Sequence, residues 1–294
     1  MAPLIRTINN IARGIYRCAY DAIVLHDGIE HAGYLAYLSM LALFPFLVLL
    51  MMVLGSLGEG EIGMQLIERI LLELPPQAVR ALTPRIEEIS SGPPEGLVTL
   101  SIIGAIWTAS SAVEGLRTVL NRAYRVSTPP AYIWRRMMSI VQLLIFTAVI
   151  IAGLLVLVFA PIVQQKLELL LGIPLHDVEA FKFTDIIFSF SAIILFLMVA
   201  NLYFILPNIK QRLRYVVPGA LVTVGLWLAA VKGYSYYLST FDQVNLIYGS
   251  LAGIIASLIF FFLVNLCFIF GAEFNYQMAI AFGTHFEERE QAGG

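Results

Sequence analysis

The chain has 294 residues, of which 59% are hydrophobic and 13% charged, with a formal net charge of -2 and a mean hydropathy of +0.84. Soluble domains carry about a quarter charged residues, so this composition excludes an ordinary soluble domain and points to an integral membrane protein. Cys18 and Cys267 are the only cysteines; one is expected inside and one within the last span, which excludes an external disulfide and offers no metal-ligand spacing.

The first stretch of the chain carries charges throughout and lacks a continuous apolar run, so no cleavable signal peptide is expected. Within residues 1–31, Ile8, Ile11, Ile15, Ala19, Ala22 and Ile23 recur at helical spacing with arginines between them. That pattern suits an amphipathic helix on the inner membrane surface, or equally a cytosolic helix packed on the bundle.

A hydrocarbon core of roughly 30 Å needs about 20 apolar residues in a helix, because backbone groups in lipid must bond within their own segment. Six stretches qualify, 32–57, 96–120, 137–163, 184–206, 215–238 and 248–276. The expected fold is a single all-α membrane domain of six transmembrane helices, with 277–294 as a cytoplasmic tail. Pro45 marks a break in the first span and Pro207 ends the fourth. Residues 58–95 carry two further amphipathic patterns, Ile62, Leu66, Ile70 and Leu74, then Val79, Leu82, Ile86 and Ile89 after Pro75 and Pro76. These external helices either cap the bundle and rest on the outer leaflet, or form a lid or a docking site for an envelope protein partner.

Orientation follows from Lys and Arg. The amino-terminal segment with Arg6, Arg13 and Arg17, the connection with Arg122, Arg125, Arg135 and Arg136, and the connection with Lys210, Arg212 and Arg214 fall on one side. Cytoplasmic loops keep the positive charge, so both termini are expected inside.

Ser39, Glu114, Gln142, Asn201 and Asn265 all fall roughly 7 to 11 Å to the cytoplasmic side of the midplane at a helical rise of 1.5 Å per residue. Facing lipid they would be costly, so they are expected to converge. Ser110, Glu114, Arg117 and Asn121 share one face of the second span, Glu114 and Arg117 are spaced to pair along it, and Arg122 and its neighbours would draw anions to the inner mouth. Lys232, alone in the outer half of the fifth span, is set either to snorkel among Tyr234, Tyr236 and Tyr237 or to receive an anionic head group. Glu273 falls near the inner interface within reach of arginines. The same polar layer serves equally well as interhelical hydrogen bonding that binds nothing. Gly104, Gly153, Gly225 and Gly253 allow close helix contacts, within one protomer or between the protomers of a homo-oligomer.

The runs AYLSMLALFPFLVLL from Ala36, IWTASSAVEGLRTVLNRAYRV from Ile106 and YGSLAGIIASLIFFFLVNLCFIFGAEFN from Tyr248 resemble the YihY/BrkB family of bacterial inner-membrane proteins over nearly the whole chain, most specifically in LNRAY and GAEFN. The resemblance implies a multi-pass protein of the inner membrane, and family motif positions at Pro45, Asn121, Tyr248, Gly249, Gly271, Glu273 and Asn275. Family members have been labelled ribonuclease BN, others virulence factors. Metal-assisted phosphodiester cleavage needs clustered ligands, whereas His26, His31, His176 and His285 are scattered along the chain. No catalytic residue, metal, cofactor or nucleic-acid partner is therefore expected.

The expected function is non-enzymatic and transporter-like, handling an amphiphilic or lipidic anion with membrane lipids as partners. Glu114, Asn201 and Asn265, with Ser39, Ser110, Asn121, Gln142 and Glu273, are candidates to line a cytoplasm-facing polar cavity. Arg117 and Arg122 would recruit the anion and Lys232 receive it on the outer side. The alternatives are a scaffold or accessory subunit in envelope assembly docked through 58–95, and a ribonuclease.

Overall fold

The computed structural model describes residues 27–57, 71, 79, 83, 95–127, 131–171, 183–240, 251–283 and 286–289. Six long helices occupy them, α1 Gly28–Leu57, α2 Glu95–Ala123, α3 Tyr132–Leu171, α4 Phe183–Ile205, α5 Val217–Thr240 and α6 Ala252–Ala281. Two short strands, β1 Ile209–Lys210 and β2 Glu287–Glu288, pair antiparallel with Ile209 opposite Glu288 and Lys210 opposite Glu287. The amphipathic amino-terminal pattern, Tyr248 and Gly249 lie outside the described residues. Of the external amphipathic patterns, Leu71, Val79 and Thr83 are described and helical, the Thr83 hydroxyl donating to the Val79 carbonyl at 2.8 Å.

Each long helix falls on an expected apolar run. Gly28–Leu50, Tyr132–Val156, Leu213–Tyr237 and Ala252–Ala281 are long and apolar enough to cross a bilayer, and Ser191–Ile205 is a shorter apolar helix. α2 carries Glu114, Arg117 and Arg122 along its second half. The chain is a multi-pass helical membrane protein, and large apolar side chains such as Leu197, Leu221, Leu228 and Val231 are accordingly exposed.

Three expectations about the helices are corrected. α1 runs through Pro45 as one helix of 30 residues instead of breaking there, because a membrane helix re-satisfies a freed carbonyl locally. α3 extends past 137–163 at both ends to 40 residues, since hydropathy reads only the hydrocarbon-crossing part and a helix continues into the interface. α6 continues beyond 276 to Ala281, and Glu287–Glu288 forms a strand, so part of the expected tail is folded structure. α4 ends at Ile205, just ahead of Pro207, as the sequence requires.

The chain divides into two compact units. The first comprises Met1–Met40, Ala112–Arg136 and Leu195–Gly294. Its core joins Ala32, Leu35, Val119 and Ile269, with Leu116, Phe262 and Leu266 packed against them. α5 packs closely on α6 at Gly219 and Gly271. A Cβ at 219 would strike the Gly271 carbonyl oxygen and the Asn275 amide, and one at 271 would strike the Thr223 and Tyr203 hydroxyls. Gly115 likewise meets Leu38 of α1. The second unit comprises Leu41–Ser111 and Met137–Ile194, with Ser110, Ser139, Gln142, Leu143, Thr147 and Ile151 buried.

Within one chain, the close contacts fall at other glycines than the four named from sequence. Gly104, Gly225 and Gly253 face open space, and Gly153 makes only an ordinary contact with Ile194. A small residue permits an approach but does not say which face of its helix a neighbour covers.

Candidate functional site

The carboxyl end of α4 leaves carbonyl groups without helical partners. Gln211 Nε2 donates to the Tyr203 carbonyl at 2.5 Å, Arg289 Nη2 to Phe204 at 3.1 Å and Arg117 Nη1 to Leu206 at 3.1 Å. The Arg289 backbone N–H adds a bond to the Asn208 carbonyl at 3.1 Å and its Nε one to Ile209 at 2.9 Å. Two guanidinium groups thus sit at the negative end of the α4 dipole. Burial lowers the Arg289 pKa from its ordinary value. Glu288 secures the same segment, accepting from the Ser127 N–H at 2.7 Å and its hydroxyl at 2.6 Å.

Beneath this end lies the polar face of α2. Arg117 Nε is 3.6 Å from Glu114 Oε2, the i, i+3 pair its spacing predicts, and Arg135 Nε is 3.4 Å from Glu114 Oε1. Asn121 Oδ1 accepts from the Asn208 N–H at 2.8 Å. Arg117 Nη2 and Asn121 Nδ2 are buried donors with no hydrogen-bond partner among the described residues. Arg122, more exposed, pairs with Asp27 at 2.6 Å. Removing the Asn121 side chain takes away its bond to the buried Asn208 N–H, so Asn121→Ala is expected to lower unfolding free energy by about 1 to 3 kcal/mol, read by denaturant titration in detergent.

α2 closes with an arginine in an unusual place. The Val126 N–H reaches the Asn121 carbonyl at 2.8 Å and the Arg125 N–H the Arg122 carbonyl at 3.1 Å, the paired bonds of a Schellman end, with Arg125 at φ 60°. Glycine normally fills that position, since a side chain in the left-handed region costs about 1 to 2 kcal/mol. Here Arg125 Nη1 bonds both oxygens of the fully buried Glu273, at 2.9 and 3.0 Å, and also the Ala123 carbonyl. The Arg125 guanidinium stacks 4.1 Å above the Tyr276 ring centroid.

The GAEFN segment of α6 extends this network. Asn275 Oδ1 accepts from the Gly219 N–H at 2.6 Å, and its Nδ2 donates to the Tyr124 hydroxyl at 3.2 Å. Burial raises the Tyr124 pKa. The Tyr203 hydroxyl sits 2.7 Å from Thr223 Oγ1 and donates to the Phe268 carbonyl at 2.5 Å. Glu273 and Asn275 on α6 thus join Arg125 and Tyr124, just past the end of α2, in the first unit.

The remaining expected residues are placed as follows. Asn265 Nδ2 bonds its own helix at Phe261 and reaches Ser39 Oγ at 3.4 Å, so these two do converge. Asn201 is half-buried in α4. Ser110 and Gln142 are buried in the second unit, Ser110 donating to the Trp107 carbonyl at 3.0 Å. Lys232 is exposed on α5.

Sequence reasoning did not single out one feature as a site. A recess of about 540 Å³ is lined by Lys210, Gln211, Arg212, Arg214, Tyr215, Gly283, Phe286 and Glu287. β1 supplies the cations through the turn into α5, and the β1–β2 pairing brings up the opposite wall. Gly283, at φ 72°, turns the chain back after α6, a conformation that suits glycine. The KQRLRY run was the available signal, read only as evidence of orientation. Among the described residues, no group of three or more His, Cys, Asp or Glu could hold a metal ion.

Residues 19–293 match the family model described as Virulence factor BrkB. The chain is 30% identical over 257 residues to YfkH of Bacillus subtilis (strain 168), a protein named as ribonuclease-like, covering 87% of this chain and 92% of that one. It is 24% identical over 253 residues to a UPF0761 membrane protein of Vibrio atlanticus (strain LGP32), covering 84% of this chain and 77% of the relative, and 27% identical over 261 residues to one of Vibrio vulnificus (strain YJ016). No solved structure matches it significantly. The buried network built from LNRAY and GAEFN and the match across nearly the full length agree, and the chain belongs to the virulence factor BrkB family.

Proposed function

We propose that this protein is a non-enzymatic, transporter-like component of the bacterial inner membrane, with six spans and both termini inside, that handles an amphiphilic anion. The observation that carries the reading is the recess walled by Lys210, Arg212 and Arg214. Leu213 lies between two of these cations and is 62% exposed, and Phe282, 72% exposed, adjoins the lining residue Gly283. Cations beside bare apolar side chains complement a molecule with a charged head and an oily body. In this reading the Glu114, Arg117 and Asn121 cluster holds the end of α4, while Ser39 with Asn265, and Asn201, belong to the path of the anion through the first unit.

Protein reconstituted in liposomes with a fluorescent anionic lipid in one leaflet tests this. The double variant Arg212→Ala, Arg214→Ala is expected to slow leaflet exchange about tenfold, a rise of roughly 1.4 kcal/mol in the barrier. An exchange rate equal to that of protein-free liposomes for the unsubstituted chain would sink the reading. The ribonuclease-like name of YfkH motivates one other reading, and RNA cleavage by the purified chain that vanished on a point substitution would replace ours.

A further inference from the structure

Among the described residues the recess holds three cations, Lys210, Arg212 and Arg214, against one carboxylate, Glu287. Glu287 stands opposite Lys210 in the strand pair with Oε2 3.8 Å from Nζ, and its side chain is 80% exposed, so this ion pair is loose. Arg214 is steadied by its neighbour, with Nη2 donating to the Tyr215 hydroxyl at 2.5 Å and its guanidinium carbon 4.6 Å from that ring centroid. That bond uses one of five guanidinium N–H donors and leaves the others for a ligand. Arg212 makes no ion pair among the described residues.

Charge matching narrows the ligand. Two of the three positive charges lack a carboxylate among the described lining residues, and a dianion balances them where a monoanion does not. Among head groups with a single phosphate a phosphomonoester is the dianion, carrying between 1.5 and 2 negative charges at about pH 7, and its oxygens accept from guanidinium forks. A phosphodiester carries one charge. The volume of about 540 Å³ accommodates a phosphorylated head group, and Leu213 and Phe282, exposed and next in sequence to lining residues, offer apolar surface to acyl chains.

We infer that this recess binds the phosphomonoester head group of an anionic lipid, and that Glu287 on β2 occupies it as an internal competitor which the head group displaces. The inference rests on the proposed amphiphilic cargo and deepens it by naming the head group. Arg289 bonds the Phe204 and Ile209 carbonyls and Glu288 accepts from Ser127, so Glu287 can yield its place without β2 detaching.

The test uses the full chain in detergent micelles, with bound lipid counted by native mass spectrometry. Phosphatidic acid, a phosphomonoester, is expected to bind at least about tenfold more tightly than phosphatidylglycerol, a diester. Arg212→Gln, at an exposed position, is expected to abolish that preference with an unchanged melting temperature. Glu287→Gln is expected to tighten phosphatidic acid binding about two- to fivefold, the range set by an exposed ion pair. Equal affinity for the two lipids, or weaker binding in Glu287→Gln, overturns the inference. Glycerol 3-phosphate binding as tightly as phosphatidic acid would overturn the lipid source and assign the site to a soluble phosphomonoester. Binding with this selectivity but without leaflet exchange sinks the transporter reading alone; exchange that persists without the selectivity sinks the head-group assignment alone.

Discussion

Glu273→Ala is expected to remove about 3 kcal/mol of stability or more, because it strands a partly buried arginine. Glu273 has no exposed surface, and both its oxygens take bonds from Arg125 at 2.9 and 3.0 Å. Arg125 keeps 27% of its side chain exposed, which sets the expected loss at the lower end of the range for broken buried pairs. The pair also holds Arg125 at φ 60°, a conformation a non-glycine residue adopts only when its surroundings compensate. Without the carboxylate, the α2 turn loses one of the partners that tie it to α6. The measurement is a double-mutant cycle of Glu273→Ala with Arg125→Ala, read by denaturant unfolding in detergent. Because both changes act on one pair, their effects should fall well short of additive, with a coupling of about 1.5 kcal/mol or more. Additive losses within about 0.5 kcal/mol would mean the pair is not coupled in the folded chain.

Gly219→Ala is the second large effect, with an expected loss of about 3 kcal/mol or a failure to fold. Its new Cβ would meet the Gly271 carbonyl oxygen, which is backbone and cannot swing aside, and the Asn275 amide that the Gly219 N–H itself bonds. Relief requires α5 and α6 to separate, which breaks the bonds of the Tyr203 hydroxyl to Thr223 Oγ1 and the Phe268 carbonyl beside the crossing. Gly225→Ala on the same helix is the control. Nothing lies within 4 Å of that added Cβ, so alanine there is expected to be neutral or to add up to about 1 kcal/mol through helix propensity. The thermal melts of the two variants should therefore move apart. Equal melting temperatures would show that the crossing tolerates a methyl group and that the close approach at Gly271 is not tight.

The pairs legible in the sequence were those whose geometry a single helix or a single depth dictates. Glu114 with Arg117 follows from three residues of one helix, and Ser39 with Asn265 from their shared distance below the midplane. Glu273 was placed near arginines, but Arg125 was not separable from Arg122, Arg135 and Arg136 until the left-handed turn aimed it at α6, while Arg122 turned to Asp27 and Arg135 to Glu114. The motif positions Asn121, Gly271, Glu273 and Asn275 stood in the sequence as a resemblance only. The structure supplies their reason: a buried strand-entry N–H, a helix crossing, a half-buried arginine and a glycine amide that each takes its partner from these positions.

The recess shows the other limit. Lys210, Arg212 and Arg214 were visible as charge, but the wall opposite them comes from 283–287, brought there by two strands too short to leave a periodic pattern. Gly104, Gly225 and Gly253 were as good candidates for close packing as Gly219 and Gly271, since composition is blind to which side of a helix is covered.

The amino-acid sequence by itself determined that this is a helical membrane protein of the BrkB family and where its long helices lie, because transfer into a bilayer is a sum over about 20 consecutive residues and every backbone bond closes within the segment. Tertiary structure alone decided which arginine meets Glu273, which glycines carry the α5–α6 crossing and that a cation-lined recess forms at β1, because each depends on the rotation of one helix against another and on contacts between residues far apart in the chain.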